Sequence, residues 1–502
     1  MYPDHVPPEP QAEPLPSVPA PPRRATDPVA AVAGNATMLG IGYMFMRRPI
    51  LAALALVGTG FLLWSAAVQT ENPLWRTLLP AWGLAMVLHA WWLTRRTRVE
   101  RLVDLVEPDP ARRPRFFAVT AASLVLLTVA WFRFDAWWIA HDAATAHAEG
   151  DCDRATTALE SLDAVHRVAF GPITLRGEEE TEACELLLTA LDEAPADGAD
   201  TIEEYMAHPG ALWDGAGPQR AEFLFDAAMA AEEPNLSTVE EAFAQLSTTL
   251  ERLPGRSETV RSTVERFMAG LAEAPPCEGH KVDDWLSDQT WDEPELTEPV
   301  AAASGQVPVR MLGCAQDRTA SGDDAGAGVL YREFLAEYPE HELAGEAADG
   351  VLDSGAYCGD PVAYQGAPEY GGEGPHPMRM FGWTAEGRDF PDSWLAETAD
   401  ETALVVCVEA ELGEFQESCR YASPSQTFWA VFYAHKFDIK AYEFRTGGLV
   451  ADYTREIGDP CPNRLDGTYD TIYLSASTDG TMMMASEYTD EDFRGMFSEL
   501  MD

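Results

Sequence analysis

Three long apolar runs precede two different polar–apolar rhythms in this chain. Residues 49–68 (PILAALALVGTGFLLWSAAV), 77–94 (TLLPAWGLAMVLHAWWLT) and 116–138 carry apolar side chains on every face a helix would have. A helix rising about 1.5 Å per residue needs about 20 such residues to cross a hydrocarbon core of roughly 30 Å. Each run therefore predicts a transmembrane span. Trp64, Trp75, Trp91, Trp92, Trp137 and Trp138 gather near the run ends, where an aromatic belt meets the lipid headgroups. His89 in the second run reads as a lipid-edge polar residue, and Arg133 with Asp135 in the third as a snorkelling pair. Beyond residue 140 the apolar positions recur at helical spacing: 155, 158, 159, 162 and 165, then segments 182–194, 220–231, 238–253 and 258–272. From residue 378 the rhythm becomes that of strands, over 378–383, 403–412 and 427–437. Residues 438–444 and 449–457 flank Gly447-Gly448 and predict a hairpin. A last helix, DEDFRGMFSELM, follows Thr489, whose hydroxyl caps it with Asp492 completing a capping box.

Together these elements predict a multi-domain membrane protein. A disordered Pro-rich cytoplasmic tail covers 1–28, and an α-helical transmembrane anchor covers 29–139. An α-helical extracytoplasmic domain follows over 140–357, and a small α+β domain with an antiparallel sheet over 358–502. The tail holds ten prolines and reads as a polyproline II spacer. Residues 29–46 are uncharged but contain Gly34, Asn35, Gly40 and Gly42, which favours an interfacial or half-inserted helix over a fourth crossing. Within the helical domain, SGDDAGAGVLYREFLAEYPEHELAGEAAD over 321–349 resembles one tetratricopeptide-type hairpin. TLERLPGRSETV matches it weakly 85 residues earlier, without the regular period of a repeat array, so the stack is degenerate.

Charge then sets an orientation. Up to residue 139 there are 13 Arg, no Lys and 10 acids; from residue 140 onward 21 Lys and Arg face 73 Asp and Glu. Arg47 and Arg48 precede the first run, and Arg95, Arg96, Arg98, Arg101, Arg112, Arg113 and Arg115 lie between the second and third. By the positive-inside rule the N-terminus and this loop are cytoplasmic and residues 140–502 extracytoplasmic. Phosphate would repel so acidic a region, which excludes nucleic acid as a partner. The acids are dispersed and lack calcium-loop spacing, so a hydrated surface is favoured over capture of divalent cations or a basic partner.

Cysteine placement agrees with that orientation. Cys152, Cys184, Cys277, Cys314, Cys358, Cys407, Cys419 and Cys461 all follow the third run, an even set confined to the side where disulfides form. Sequence-neighbour pairing gives Cys152–Cys184 and Cys277–Cys314. In the terminal domain Cys407 and Cys419 are expected to join adjacent strands, leaving Cys358 with Cys461. Zinc is disfavoured because no Cys-x-x-Cys pair occurs. His141, His147 and Asp151 form a weak metal candidate against a wet helix surface, and Met482-Met483-Met484 reads as a strand segment.

The pattern Val-Val-Cys-Val (405–408), Cys-Arg-Tyr (419–421), Arg-Thr-Gly-Gly-Leu-Val-Ala (445–451) and Pro-Cys-Pro (460–462) resembles the C-terminal domain of a group of uncharacterised actinobacterial membrane proteins. Gly-Tyr-Met-Phe-Met-Arg-Arg-Pro (42–49) and Gly-Asp-Cys-Asp (150–153) are similar to the same group. The resemblance implies a three-span anchor and a cell-surface location, and carries no activity. The sequence holds no Gly-x-Ser-x-Gly, His-Glu-x-x-His, phosphate loop or dinucleotide fingerprint. The chain is expected to be a non-enzymatic binding or scaffolding module without cofactor or metal, facing the lipid bilayer and an envelope protein or cell-wall component. A transmembrane sensor is the alternative, and an extracellular hydrolase ranks third.

Overall fold

A computed structural model describes residues 27–69, 73–100, 112–231, 233–371, 374–422, 427–465, 475–476 and 481–501. The tail over 1–26 lies outside the described residues. The chain divides into two compact units, 1–216 and 217–502.

The first unit is helical. Its elements are α1 (Pro28–Ala36), α2 (Ile41–Phe45), α3 (Pro49–Val68), α4 (Pro73–Glu100), α5 (Arg112–Ala148), α6 (Cys152–Leu159), α7 (Ala164–Asp192) and α8 (Pro195–Ala207). All three apolar runs form helices, but only α3 and residues 115–148 of α5 are long and apolar enough to cross a membrane. The three-span expectation thus meets two qualifying helices. Helix α4 has the length, at 28 residues, but Pro80, His89 and its four tryptophans' polar ring nitrogens dilute its apolar character.

Helices α3 and α4 run antiparallel along their length. Phe61 meets Trp75 at 5.9 Å between ring centroids, Trp82 Nε1 donates to Thr59 Oγ1 at 3.1 Å, and Ala52 and Ala55 pack with Met86 and Leu93. The ambiguous 29–46 segment resolves into two short helices, neither able to span. Between them Met38 and Gly40 adopt positive φ. Helix α1 packs against both α4 and α5. Helix α2 folds back onto α1, an approach that needs small residues: a Cβ on Gly42 would lie 2.0 Å from the Ala31 carbonyl oxygen. The buried Asn35 amide accepts from Tyr43 N at 3.2 Å and donates toward the Met86 carbonyl at 3.5 Å, tying α1 to α2 and to α4.

Helix α5 continues without interruption through residue 139, where a domain boundary was expected, and its last turns pack against α6 and α7. Helix α7 starts on a capping box between Asp163 and His166 and kinks at Phe170. Pro172 lacks the N–H and crowds the preceding turn, which accounts for the bend.

The second unit begins with helices α9 (Ala216–Met229), α10 (Leu236–Arg252), α11 (Ser257–Glu273), α12 (Pro276–Ser287), α13 (Pro294–Ala303), α14 (Val307–Ser321), α15 (Asp324–Glu337) and α16 (Ala344–Asp353). Helices α15 and α16 form the hairpin predicted over 321–349. Gly350 lets them close: a Cβ there would lie 2.4 Å from the Tyr331 ring. Across the interface of α12 and α14, the buried Arg310 guanidinium donates twice to Asp283, each bond 2.6 Å.

A mixed sheet follows, built from β1 (Met378–Gly382), β2 (Leu404–Ala422), β3 (Thr427–Glu443), β4 (Gly448–Ile457), β5 (Ser475–Ala476) and β6 (Thr481–Ala485). Its order is β1-β2-β3-β6-β5, with β4 also on β3. The expected antiparallel sheet is only partly so, because β1 runs parallel to β2 and β6 parallel to β3. The predicted strands 427–437 and 438–444 are one strand, since no turn residue interrupts the inward set Phe437, Ile439 and Ala441. The predicted hairpin forms between β3 and β4, with Ile439 opposite Tyr453.

Residues Leu404 to Val408 are buried on both faces, as the unbroken apolar run Leu-Val-Val-Cys-Val requires. Leu404, Val406 and Val408 share a core with Phe493 of α17 (Asp490–Gly495), Leu500 of α18 (Ser498–Met501) and Phe497 between the two helices. Val405 on the opposite face joins Tyr331, Phe334 and Val351 of the helical hairpin in one core. The expected boundary at 357/358 therefore falls inside a continuous core. Thr489 and Asp492 form the predicted capping box.

Four disulfides are present, with Cα–Cα separations between 4.4 and 5.8 Å. Cys152–Cys184 and Cys277–Cys314 pair as read from the sequence. The other two are Cys358–Cys407 and Cys419–Cys461, which corrects the expected Cys407–Cys419 and Cys358–Cys461. Cys407 and Cys419 share strand β2. Twelve residues of strand separate them by roughly 40 Å, far beyond a bridge's reach of about 7 Å.

Candidate functional site

The residues singled out in the sequence do not converge. His141 stacks on Trp137 at 5.4 Å between centroids, while Asp151 caps α6 by accepting from Arg154 N at 3.1 Å. His147 is buried against Tyr205, whose hydroxyl already accepts from Leu212 N and Trp213 N. That hydroxyl's own proton therefore goes to His147 Nε2, 2.9 Å away. Cys152 and Cys184 lie beside His147, and Cys419 and Cys461 beside Glu417, but each sulfur pair is joined as a disulfide. A joined pair offers no thiolate to a metal. Met482 and Met484 pack into a sheet core with Phe432. Arg133 and Asp135 turn to α7 separately, the guanidinium lying 4.8 Å from the Phe170 ring centroid and the carboxylate 3.2 Å from His166 Nε2.

The feature with the form of a binding site lies between α9 and α11, where sequence reading placed only amphipathic helices. Phe225 and Met229 are one turn apart on α9 and share a face; Phe267 and Gly270 do so on α11. Phe225 and Phe267 stack at 4.0 Å between centroids with an interplanar angle of 14°, and Phe243 of α10 meets both edge-on. This stack, with Met229, Leu271 and Pro275, floors a half-open cavity of about 320 Å³. Gly270 keeps it open, since no heavy atom lies within 4 Å of where its Cβ would sit.

The rim is acidic. Glu222 and Asp226 stand on the α9 side, and Glu273 and Glu278 flank the other. Arg266 is the one basic side chain among the lining residues. Its guanidinium is already engaged, 2.7 Å from the Glu222 carboxylate and 3.2 Å from Thr263 Oγ1. Among the described residues no cation pairs with Asp226, Glu273 or Glu278. Burial, and then the negative charge of Glu222, push the Asp226 carboxyl above its ordinary range, with Arg266 opposing. The arrangement favours a guest that brings positive charge to the rim and apolar surface to the floor. The sequence held no sign of it, because Phe225 and Phe267 meet only through tertiary packing.

A second desolvated acid lies in the first unit. Glu180 on α7 is buried, one carboxylate oxygen lacks a partner, and desolvation pushes its pKa up to about 7 despite Arg176. No protein-family model, no curated protein and no solved structure matches this chain.

Proposed function

We propose that this chain is a membrane-anchored cell-envelope protein whose outer, disulfide-bonded region serves as a binding or scaffolding module. The observation that carries the anchor is apolar surface left uncovered. The most apolar stretches of α3 and α5 are only 17% and 6% buried, whereas a helix of that composition inside a soluble core is covered. Leu54, Val57 and Phe61 of α3 and Leu124, Leu126 and Leu127 of α5 all face outward. Three crossings fit better than two, because α4 runs back along α3 and at about 42 Å is long enough to recross. The arginine asymmetry supports an N-terminus inside and residues 140–502 outside. In that orientation α1 and α2 fill the cytoplasmic half of the bundle as a half-inserted element. The four disulfides then sit on the oxidising side.

The binding role rests on the acidic-rimmed groove and on a helical stack that offers surface without a catalytic signature. It predicts co-purification of an envelope partner after mild solubilisation. Isolation of the chain alone at physiological salt, with no crosslinked neighbour, counts against it. The sensor reading gains one support: α5 is a single rod from Arg112 to Ala148, joining the outer helices to the Asp27–Arg115 ion pair. Loss of stimulus response on deleting residues 1–28 would favour it.

A further inference from the structure

We infer that the groove between α9 and α11 receives a peptide segment of a partner protein, one that places an apolar side chain on the Phe225–Phe267 stack and Lys or Arg against Asp226, Glu273 and Glu278. This deepens the binding-module reading and rests on it.

Charge and hydrogen-bonding capacity select that occupant. The floor is hydrocarbon and aromatic ring, so it rewards apolar surface alone. The rim's only cation lends its Nη2 to Glu222 and Thr263 and has its charge offset by Glu222, so a phosphate or carboxylate meets carboxylates in excess there. Anionic wall polymers and lipid headgroups meet repulsion both from the rim and from a region with 73 acids against 21 basic residues. A basic segment meets attraction at both scales, which steers its approach and then fixes its register across the groove. At about 320 Å³ the cavity is at the small end of ligand sites, suited to a side chain or two and not to a folded cofactor. Carboxylates on both sides of the stack set the pattern as basic–apolar–basic.

The test uses the full chain in detergent and a fluorescent Lys-Leu-Phe-Lys peptide amide, read by anisotropy. A Lys-Ser-Ser-Lys amide controls for charge. The blocking variant is Gly270→Leu, which projects a side chain into open space and improves helix propensity, so it folds. We expect Lys-Leu-Phe-Lys to bind, Lys-Ser-Ser-Lys to bind at least tenfold more weakly, and Gly270→Leu to weaken the first peptide at least tenfold. Asp226→Asn should weaken it several-fold, more than Glu251→Gln on α10. Equal binding of both peptides, or binding indifferent to Gly270→Leu, would mean general attraction to an acidic surface and overturn the inference. So would no binding of Lys-Leu-Phe-Lys. An envelope partner retained unchanged by Gly270→Leu would sink the groove assignment alone. Absence of any partner would sink the binding-module reading itself.

Discussion

Leu126 lies near the middle of the third apolar run, and its side chain is 70% exposed. In water, replacing such a residue by Arg changes stability by no more than about 0.5 kcal/mol and improves solubility. Facing hydrocarbon, the same change costs about 2.5–3.5 kcal/mol on insertion scales, roughly a hundredfold in the ratio of inserted to uninserted chain. The two environments thus differ by an amount well above measurement error. Leu126→Arg, measured by glycosylation mapping of α5 in the full chain on microsomes, is expected to lower that ratio by about two orders of magnitude. Trp138→Arg, near the end of the run and 58% exposed, should change it little, because a guanidinium there reaches the headgroups. Equal effects of the two substitutions, or higher solubility of Leu126→Arg with no loss of insertion, would refute a lipid-facing α5.

Glu180 gives a pH signature in the helices that follow α5. With the native carboxyl held at about 7 against an ordinary 4.5, the unfolded chain releases this proton first as pH rises. Stability is therefore full below about 4.5, falls through the interval to about 7, and is lower by about 3 kcal/mol above it. Glu180→Gln should remove that fall and be the more stable protein at pH 8; urea unfolding at pH 5 and 8 reads the difference. Asp283→Ala should destabilise the second unit by about 3–5 kcal/mol, because it leaves the Arg310 guanidinium buried and unpaired. The double change Asp283→Leu with Arg310→Met should recover most of that loss in the same unfolding assay, and a double variant no better than the single one contradicts the argument.

Local rules were legible in the sequence, and tertiary adjacency was not. The apolar runs, the hairpin at Gly447-Gly448 and the Thr489 cap each depend on residues a few positions apart, and each forms. Cys152–Cys184 was legible because α6 and α7 are consecutive, so near neighbours in sequence are neighbours in space. The same logic failed at Cys407, where the strand read as ending at 412 continues to Ala422 and carries Cys419 away from it. Strand length is set by the partner β3, which sequence pattern alone does not reveal. Similarly, the packing of α2 on α1 rests on the Gly42–Ala31 approach, and the groove on Phe225 meeting Phe267 across more than forty positions. His141, His147 and Asp151 are close in sequence, yet each is committed to a separate partner.

The central claim is that everything beyond α5 occupies an oxidising compartment, tethered by apolar helices. Non-reducing peptide mapping of the full chain, taken from intact cells after thiol alkylation, tests it most directly. The account predicts four linked pairs, Cys152–Cys184, Cys277–Cys314, Cys358–Cys407 and Cys419–Cys461, with no alkylated cysteine. Alkylated thiols at several of these positions would place the region on the reducing side and contradict the topology.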